Sequence, residues 1–215
     1  YEYSHTAIST PTTKNLVNRK YGYLFPSFFL TRDIDTEKNI QLSYSRRITR
    51  PTFNDMAPYV FFWGPNTFSG GNTSLLPAIG DAIKAGYQDK QWIISLQFTH
   101  AKNEINSYQP EVGDDSNSLI YRSQNLDFLN TLGMTSSYSF NITPWWEVQS
   151  NFTVQYQVAQ ASRRQNDATL HLYGLNMNLV TLIRLPDDIL IEISGIYQSK
   201  TLSGITAYLP LGSLN

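Results

Sequence analysis

The chain is dominated by apolar and polar residues that alternate with a period of two. The pattern is clearest between 145 and 160, where large apolar side chains alternate with Gln, Asn, Thr and Glu. Successive side chains of a β-strand point to opposite faces, so this segment predicts a strand that lies between two different environments. The apolar set is Trp146, Val148, Phe152, Val154, Tyr156 and Val158, and the polar set is Glu147, Gln149, Asn151, Thr153, Gln155 and Gln157.

The same period recurs along the chain, and the connections between the strands alternate in length. Strands are predicted at 1–9, 21–31, 39–48, 79–88, 91–104, 126–142, 145–159, 169–184 and 188–200. Short turns are predicted at 32–38, 88–91, 143–144 and 185–187, and longer loops at 10–20, 49–78, 105–125 and 160–168. Outer-membrane barrels alternate in the same way between short turns at the periplasmic end and long loops at the extracellular end. We therefore expect an all-β, antiparallel up-and-down transmembrane β-barrel, in the form of a partial barrel of about eight to ten strands.

Polarity along the strands agrees with a membrane setting. In the strand that starts at Trp92, the apolar series gives way to His100 and Lys102 only at the long-loop end. Charges on a lipid-facing surface cost about 2 to 4 kcal/mol at the bilayer midplane and little near the interfaces. Trp92, Trp145 and Trp146 follow short turns and are expected to form a periplasmic aromatic girdle. The alternative is that these tryptophans close the end of a soluble core.

Composition removes several classes of function. The 215 residues carry a formal net charge of -1, and only 15% of them are charged, so no basic field for nucleic acid exists. Cysteine is absent, which rules out disulfides and thiolate chemistry. No apolar run is long enough for a membrane-spanning helix, and the N-terminal residues lack the features of a signal peptide.

Several short motifs resemble those of a known family. They are Leu24-Phe25-Pro26-Ser27, the run LSYSRRITRP from Leu42 to Pro51, Gly71-Asn72 and Leu76-Pro77. Together they are similar to the barrel motifs of TonB-dependent outer-membrane receptors, above all to the Bacteroidetes outer membrane protein beta-barrel family. The first two motifs are fairly specific, whereas the later WWEVQSNFTVQYQ and LPDDILIEISGIYQSKT blocks are generic. Leu76 and Ala78 depart from the family pattern, which leaves the role of that loop open.

The resemblance implies a location, partners and a larger parent. Receptors of this kind lie in the outer membrane of a Gram-negative bacterium and contact its lipid. They consist of a barrel of about 22 strands with a plug domain inside it, and they engage the energy-transducing protein TonB. We expect residues 1–215 to be a single β-barrel segment of such a receptor, without the plug domain and the remaining strands. An isolated piece with open sheet edges is expected to self-associate.

Candidate catalytic and metal-binding residues are few. His5, His100 and His171 are scattered, and no metal-ligand spacing joins them. Asp33, Asp35 and Glu37 have the odd spacing of a calcium loop but lack its glycine, so a solvated turn is the better interpretation. The adjacent carboxylates at 114–115 and at 187–188 point to different sides of the chain, so neither pair can flank one scissile bond as a catalytic acid and base. We expect no enzyme activity, no catalytic residues, no metal and no cofactor.

The loop at 49–78 contains the most informative candidates for binding. Tyr59, Phe61, Phe62, Trp63 and Phe68 are expected either to shape an extracellular vestibule or to pack against neighbouring loops. The second alternative is favoured. Arg46, Arg47 and Arg50 are expected either to contact lipopolysaccharide phosphates or to pair with loop carboxylates.

The function expected from these features is transport. The segment would form part of the wall and the extracellular loops of a TonB-dependent receptor that takes up a chelate, an oligosaccharide or a similar nutrient. The alternative is a soluble β-sandwich binding module, with carbohydrate as a candidate ligand, whose apolar faces form a buried core.

Overall fold

The computed structural model describes residues 1–9, 13–113, 117–162, 167–203 and 206–214. The structure is almost entirely β, with one short helix, α1 (Phe53–Met56). The strands are β1 (Glu2–Ile8), β2 (Val17–Tyr23), β3 (Ser27–Asp35), β4 (Lys38–Thr49), β5 (Val60–Gly64), β6 (Thr67–Gly70), β7 (Ala78–Asp89), β8 (Trp92–Lys102), β9 (Ile105–Val112), β10 (Leu119–Asn125), β11 (Phe128–Thr143), β12 (Trp146–Ser162), β13 (Asp167–Arg184), β14 (Leu190–Gln198), β15 (Thr201–Ser203), β16 (Thr206–Tyr208) and β17 (Leu211–Leu214). No helix in these ranges is long and apolar enough to cross a membrane.

Nine strands form one large sheet in the order β3-β4-β7-β8-β11-β12-β13-β14-β17. Every neighbouring pair is antiparallel, and the spatial order follows the chain. The predicted all-β, antiparallel, up-and-down architecture is therefore confirmed. Within the described residues β3 and β17 do not pair with each other, so the sheet is an open, partial barrel.

Rows of residues that pair across the sheet confirm its two faces. One row consists of Leu30, Leu42, Ala85, Leu96, Met134, Val154 and Leu175. The row beside it consists of Thr31, Gln41, Gly86, Ser95, Thr135, Thr153, Asn176 and Gln198. We call these two sides of the sheet the apolar face and the polar face.

The apolar face has no second layer over it in the described part of the chain. Leu96 is 50% exposed and Val154 is 55% exposed, although a soluble core buries such side chains almost completely. A β-sandwich requires a second sheet packed on this face. The soluble β-sandwich alternative is therefore wrong for the described residues.

The connections alternate between the two ends of the sheet as predicted. Short turns join β3 to β4, β7 to β8, β11 to β12 and β13 to β14. Lys90 adopts a φ of 54°, and Asp187 and Asp188 adopt φ values of 63° and 57°, which are values that primed β-turn types use. The backbone N–H of Lys90 donates to the carbonyl of Glu37 at 2.9 Å and so links two neighbouring turns.

Three details of the predicted strand pattern are corrected. The strand expected at 21–31 is the end of β2 and the start of β3, separated by a break at Leu24–Pro26. The loop expected at 160–168 is shorter, because β12 continues to Ser162 and β13 begins at Asp167. β1 pairs with β2 outside the large sheet, whose ninth strand is instead the unpredicted β17.

Among the described residues, the buried apolar side chains form two clusters, one among the loops and a second one made of Leu126 with Ala159 and Ala161 near the end of β12. Ile8, Val17, Met56 and Leu75 form one cluster, in which Leu75 is only 1% exposed. The guanidinium of Arg19 donates to the carbonyl of Thr73 at 3.1 Å and also to the carbonyls of Ser74 and Leu75. The β1–β2 hairpin is thereby fixed to the long loop between β4 and β7.

Candidate functional site

A small four-stranded sheet at the long-loop end of the molecule provides the candidate site. Its order is β5-β6-β10-β9, and it combines the loop that follows β4 with the loop that follows β8. β6 and β10 pair in parallel, and the N–H of Leu119 donates to the carbonyl of Asn66 at 2.8 Å. The two loops therefore form one structural unit.

Helix α1 is held against this sheet by a dense set of polar contacts. Thr52 and Asp55 form a capping box, in which the Thr52 hydroxyl accepts from the Asp55 N–H. One carboxylate oxygen of Asp55, Oδ2, accepts from the N–H and the hydroxyl of Thr52, and the other, Oδ1, accepts from the Ser123 hydroxyl at 2.7 Å. Burial opposes ionisation of Asp55, but the hydrogen bonds from Thr52 and Ser123 outweigh it and lower the pKa of this carboxyl.

The Gly71-Asn72 motif explains how this loop is closed. The Asn72 N–H donates to the Asp55 carbonyl at 2.6 Å, and its side-chain amide donates to the Ser123 carbonyl at 3.0 Å. A Cβ at Gly71 would lie 2.2 Å from the carbonyl oxygen of Ala57, so only glycine fits there. The motif thus has a structural role despite the departures at Leu76 and Ala78.

Aromatic side chains on one face of the small sheet line a cleft. Trp63 stacks against Tyr108, with ring centroids 5.9 Å apart, and against Tyr121, with ring centroids 5.8 Å apart. Tyr59 and Phe61 meet edge to face at 4.8 Å. The cleft has a volume of about 610 Å³ and is lined by Thr52, Asn54, Asp55, Tyr59, Phe61, Trp63, Ser69, Gly70, Gly71, Ser107, Tyr108, Tyr121 and Ser123.

The five aromatic residues predicted to act together divide between two faces. Tyr59, Phe61 and Trp63 line the cleft, whereas Phe62 packs against Phe68 on the opposite face, with ring centroids 6.0 Å apart. Their separation follows from the alternation of side chains along β5. The predicted packing against a neighbouring loop also occurs, because Trp63 contacts two rings of the loop that follows β8.

Sequence reasoning missed Tyr108 and Tyr121. Both lie in the segment 105–125, which was expected to be a loop and contains β9 and β10 instead. Alternation around Tyr121 is weak, and Tyr108 adopts a φ of 55°, which interrupts the regular strand geometry.

Glu104 precedes the segment 105–125, and burial raises the pKa of its carboxyl.

The three arginines predicted as one cluster lie in three different places. Arg46 is on the apolar face and binds both carboxylate oxygens of Asp81, at 2.8 and 2.9 Å. Arg47 is on the polar face, where it lines a groove with Ser43, Ser45 and Lys84. Arg50 pairs with Glu2 and donates to the Ser4 hydroxyl. The three side chains therefore do not gather in one place, and Arg46 and Arg50 pair with carboxylates of strands β7 and β1 rather than of loops. Contact of these arginines with lipopolysaccharide phosphates stays a prediction.

The three tryptophans predicted as a girdle lie at the short-turn end. The indole N–H of Trp92 donates to the Ser136 hydroxyl at 3.0 Å, and that of Trp146 donates to the Thr181 hydroxyl at 2.6 Å. Trp145 stacks on Trp146 with ring centroids 6.1 Å apart. Their contact with lipid headgroups stays a prediction.

Metal ligands do not gather anywhere in the part of the chain that the structure describes, where no group of three or more His, Asp or Glu side chains could hold an ion. The three histidines are engaged separately. His5 contacts Asn18, His100 contacts Asn130, and His171 contacts the Tyr156 hydroxyl.

The family follows from comparison with known proteins. The outer membrane protein beta-barrel family matches residues 1–215, which is the whole chain. The chain belongs to this family. Its members lie in the outer membrane, so this outer membrane protein beta-barrel chain is located there, with the apolar face toward lipid. No curated protein matches the chain in sequence.

Solved structures with the same fold are receptors. The ferric enterobactin receptor PfeA of Pseudomonas aeruginosa, as a Q482A mutant in complex with enterobactin, is similar with a TM-score of 0.54 at 15% identity, over 91% of this chain and 32% of that one. The G324V mutant of the same receptor has a TM-score of 0.50 at 15% identity, over 91% of this chain and 31% of that one. The segment thus spans about a third of the receptors that it matches, and at this identity the likeness shows the fold.

Proposed function

We propose that this segment forms part of the wall and the extracellular loops of a TonB-dependent receptor that takes up a chelate, an oligosaccharide or a similar nutrient. The observation that carries the proposal is the aromatic cleft, which two loops build together at one end of a membrane sheet. Clefts lined by aromatic side chains and a few polar groups are the usual form of a small-molecule site.

The large sheet supplies the second element of the proposed function. Its polar face carries Gln, Asn, Ser and Thr across successive strands, which suits a water-filled or plugged lumen. The long-loop end holds the cleft and the short-turn end holds Trp92, Trp145 and Trp146. A ligand bound at the cleft would therefore stand at the mouth of the lumen, and a plug domain coupled to TonB would complete the path.

Growth of a strain that lacks the gene tests this proposal. The strain would be compared with its parent, and with a strain that lacks TonB, on iron-limited medium with ferric siderophores and on media with single glycans as carbon source. The expected result is a growth defect on one nutrient class that both deletions share. Equal growth of the gene deletion and its parent on every medium would overturn the proposal.

A further inference from the structure

We infer that the cleft binds a neutral carbohydrate rather than an anionic metal chelate. This inference rests on the proposed function and decides between the nutrient classes that it leaves open. Two independent features of the described residues carry it, namely the form of the aromatic surface and the absence of a cation from the cleft wall.

The aromatic surface has the form that a sugar ring requires. Trp63 is 58% exposed and Tyr108 is 60% exposed, so both rings present open surface to a ligand. Trp63 lies at 30° to Tyr108 and at 22° to Tyr121, so its ring stacks on both tyrosines and the three rings form one aromatic surface. The C–H groups on the face of a pyranose pack on aromatic faces of this kind, because each ring carries a negative potential on its face.

The polar groups around this surface are suited to hydroxyl groups. Ser69 and Ser107 line the cleft and can each donate and accept one or more hydrogen bonds. The Asn54 side-chain carbonyl accepts from the Tyr59 hydroxyl at 3.2 Å, so the Asn54 amide N–H groups stay available to a ligand. A pyranose offers donors and acceptors of the same kind around its rim.

Charge separates the two ligand classes. Asp55 is the one charged residue among the described residues that line the cleft, and a chelate of net negative charge would meet repulsion there. Arginine is the residue expected where an anion is recognised. Arg122 lies nearby in β10, with its Nη1 3.6 Å from Glu111 and its buried Nε without a hydrogen-bond partner among the described residues, but it is not among the residues that line the cleft. Arg50 is paired with Glu2.

Asp55 is also unsuited to act as a ligand-binding carboxylate or a metal ligand. Its Oδ2 accepts from the N–H and the hydroxyl of Thr52 at 2.9 and 2.6 Å, and its Oδ1 accepts from Ser123. These contacts hold α1 against β10. The ligand surface of the cleft is therefore formed by aromatic rings, hydroxyls and an amide.

Direct binding measurements test the inference. The complete receptor that contains the segment, purified in detergent micelles, would be screened against an array of neutral malto-, xylo-, cello- and mannooligosaccharides. Ferric enterobactin would serve as the anionic probe. Titration calorimetry on the best oligosaccharide would compare the unchanged receptor with Trp63→Ala and with the control Phe62→Ala, which alters the opposite face of the same strand. Heat-modifiable migration on a gel would confirm that each variant folds.

The expected result is oligosaccharide binding that Trp63→Ala weakens about tenfold or more and that Phe62→Ala leaves within about twofold, since a lost aromatic contact of this size corresponds to about one decade in affinity. Binding of ferric enterobactin without any oligosaccharide, weakened by Trp63→Ala, would overturn the carbohydrate inference and leave the proposed uptake function standing. Equal weakening by both variants would overturn the assignment to this cleft. Absence of all binding would overturn the carbohydrate inference, and the growth experiment would remain the separate test of the proposed uptake function.

Discussion

Replacing Gly71 with alanine is expected to open the small four-stranded sheet β5-β6-β10-β9 (the loop sheet) without unfolding the barrel. The new Cβ would lie 2.2 Å from the Ala57 carbonyl oxygen and 2.6 Å from the Ala57 backbone N. Both are backbone atoms, so neither can rotate away and the chain itself must shift. Overpacking of this kind costs about 1 to 3 kcal/mol.

The displacement would also disturb the residue that follows. Asn72 makes four hydrogen bonds, with Asp55, Ser123, Ser74 and Leu75, at 2.6, 3.0, 2.9 and 3.3 Å. Each contributes about 1 kcal/mol, and a shift of the backbone would weaken some or all of them. The expected loss of local stability is therefore about 2 to 5 kcal/mol, which corresponds to a rise in amide exchange between about 30-fold and several thousand-fold.

Hydrogen exchange read by mass spectrometry would measure this loss in the receptor in detergent. The matched control is Gly64→Ala in the same loop, where the added Cβ meets no atom within 4 Å. Peptides from 49–78 and 105–125 should exchange faster in Gly71→Ala alone, and peptides from β11 and β12 should be unchanged in both variants. Equal exchange in the two alanine variants would refute the reasoning, because it would show that the backbone absorbs the added Cβ freely.

Three further outcomes are expected. Asp81→Leu leaves Arg46 unpaired on the lipid side and should lower the urea midpoint for unfolding in lipid vesicles. The double variant Asp81→Leu with Arg46→Leu should recover the midpoint, because no unpaired charge then faces lipid. A double variant with the same midpoint as Asp81→Leu alone would contradict this. Asp55 should contribute a constant amount to the stability of the loop sheet above its ordinary pKa, 3.8, and this contribution should fall as the pH drops through the lowered folded pKa. Circular dichroism would record a smaller acid loss in Ser123→Ala, which removes one contact that keeps the Asp55 carboxyl ionised, and an unchanged loss would contradict the assignment. The isolated segment should self-associate or require amphiphile because β3 and β17 leave open edges, and analytical ultracentrifugation that shows a monomer in plain buffer would contradict this.

Much of the large sheet could be predicted from the sequence because the membrane imposes one simple rule along every strand. Leu96 and Met134 pair across β8 and β11, and their neighbours Ser95 and Thr135 pair in the next row. A shift of register by one residue would move all of these side chains to the wrong face, so alternation excludes odd shifts and the lengths of the short turns select among the even ones. Short turns then set the order of the strands.

The cleft could be predicted only in part, because its contacts join segments that are distant along the chain. Phe61 and Trp63 follow from alternation in β5, but the parallel pairing of β6 with β10 has no local signature. Tyr121 reaches Trp63 through that pairing. β17 was missed for a related reason, since only four of its residues join the sheet and they carry little alternation.

The two β structures of this segment are stabilised by different means, and this difference makes their functions separable. Of the large apolar side chains described on the large sheet, only Val148 is buried, so the surrounding lipid supplies the environment that its apolar face requires. The loop sheet instead has a core of its own around Leu75 and closes through a capping box and a glycine that tolerates no Cβ. Substitutions in the loops should therefore change ligand binding while the barrel stays folded, and substitutions on the apolar face should change membrane stability while the cleft keeps its shape. A loop variant that lost both together would show that the cleft depends on the barrel wall for its geometry.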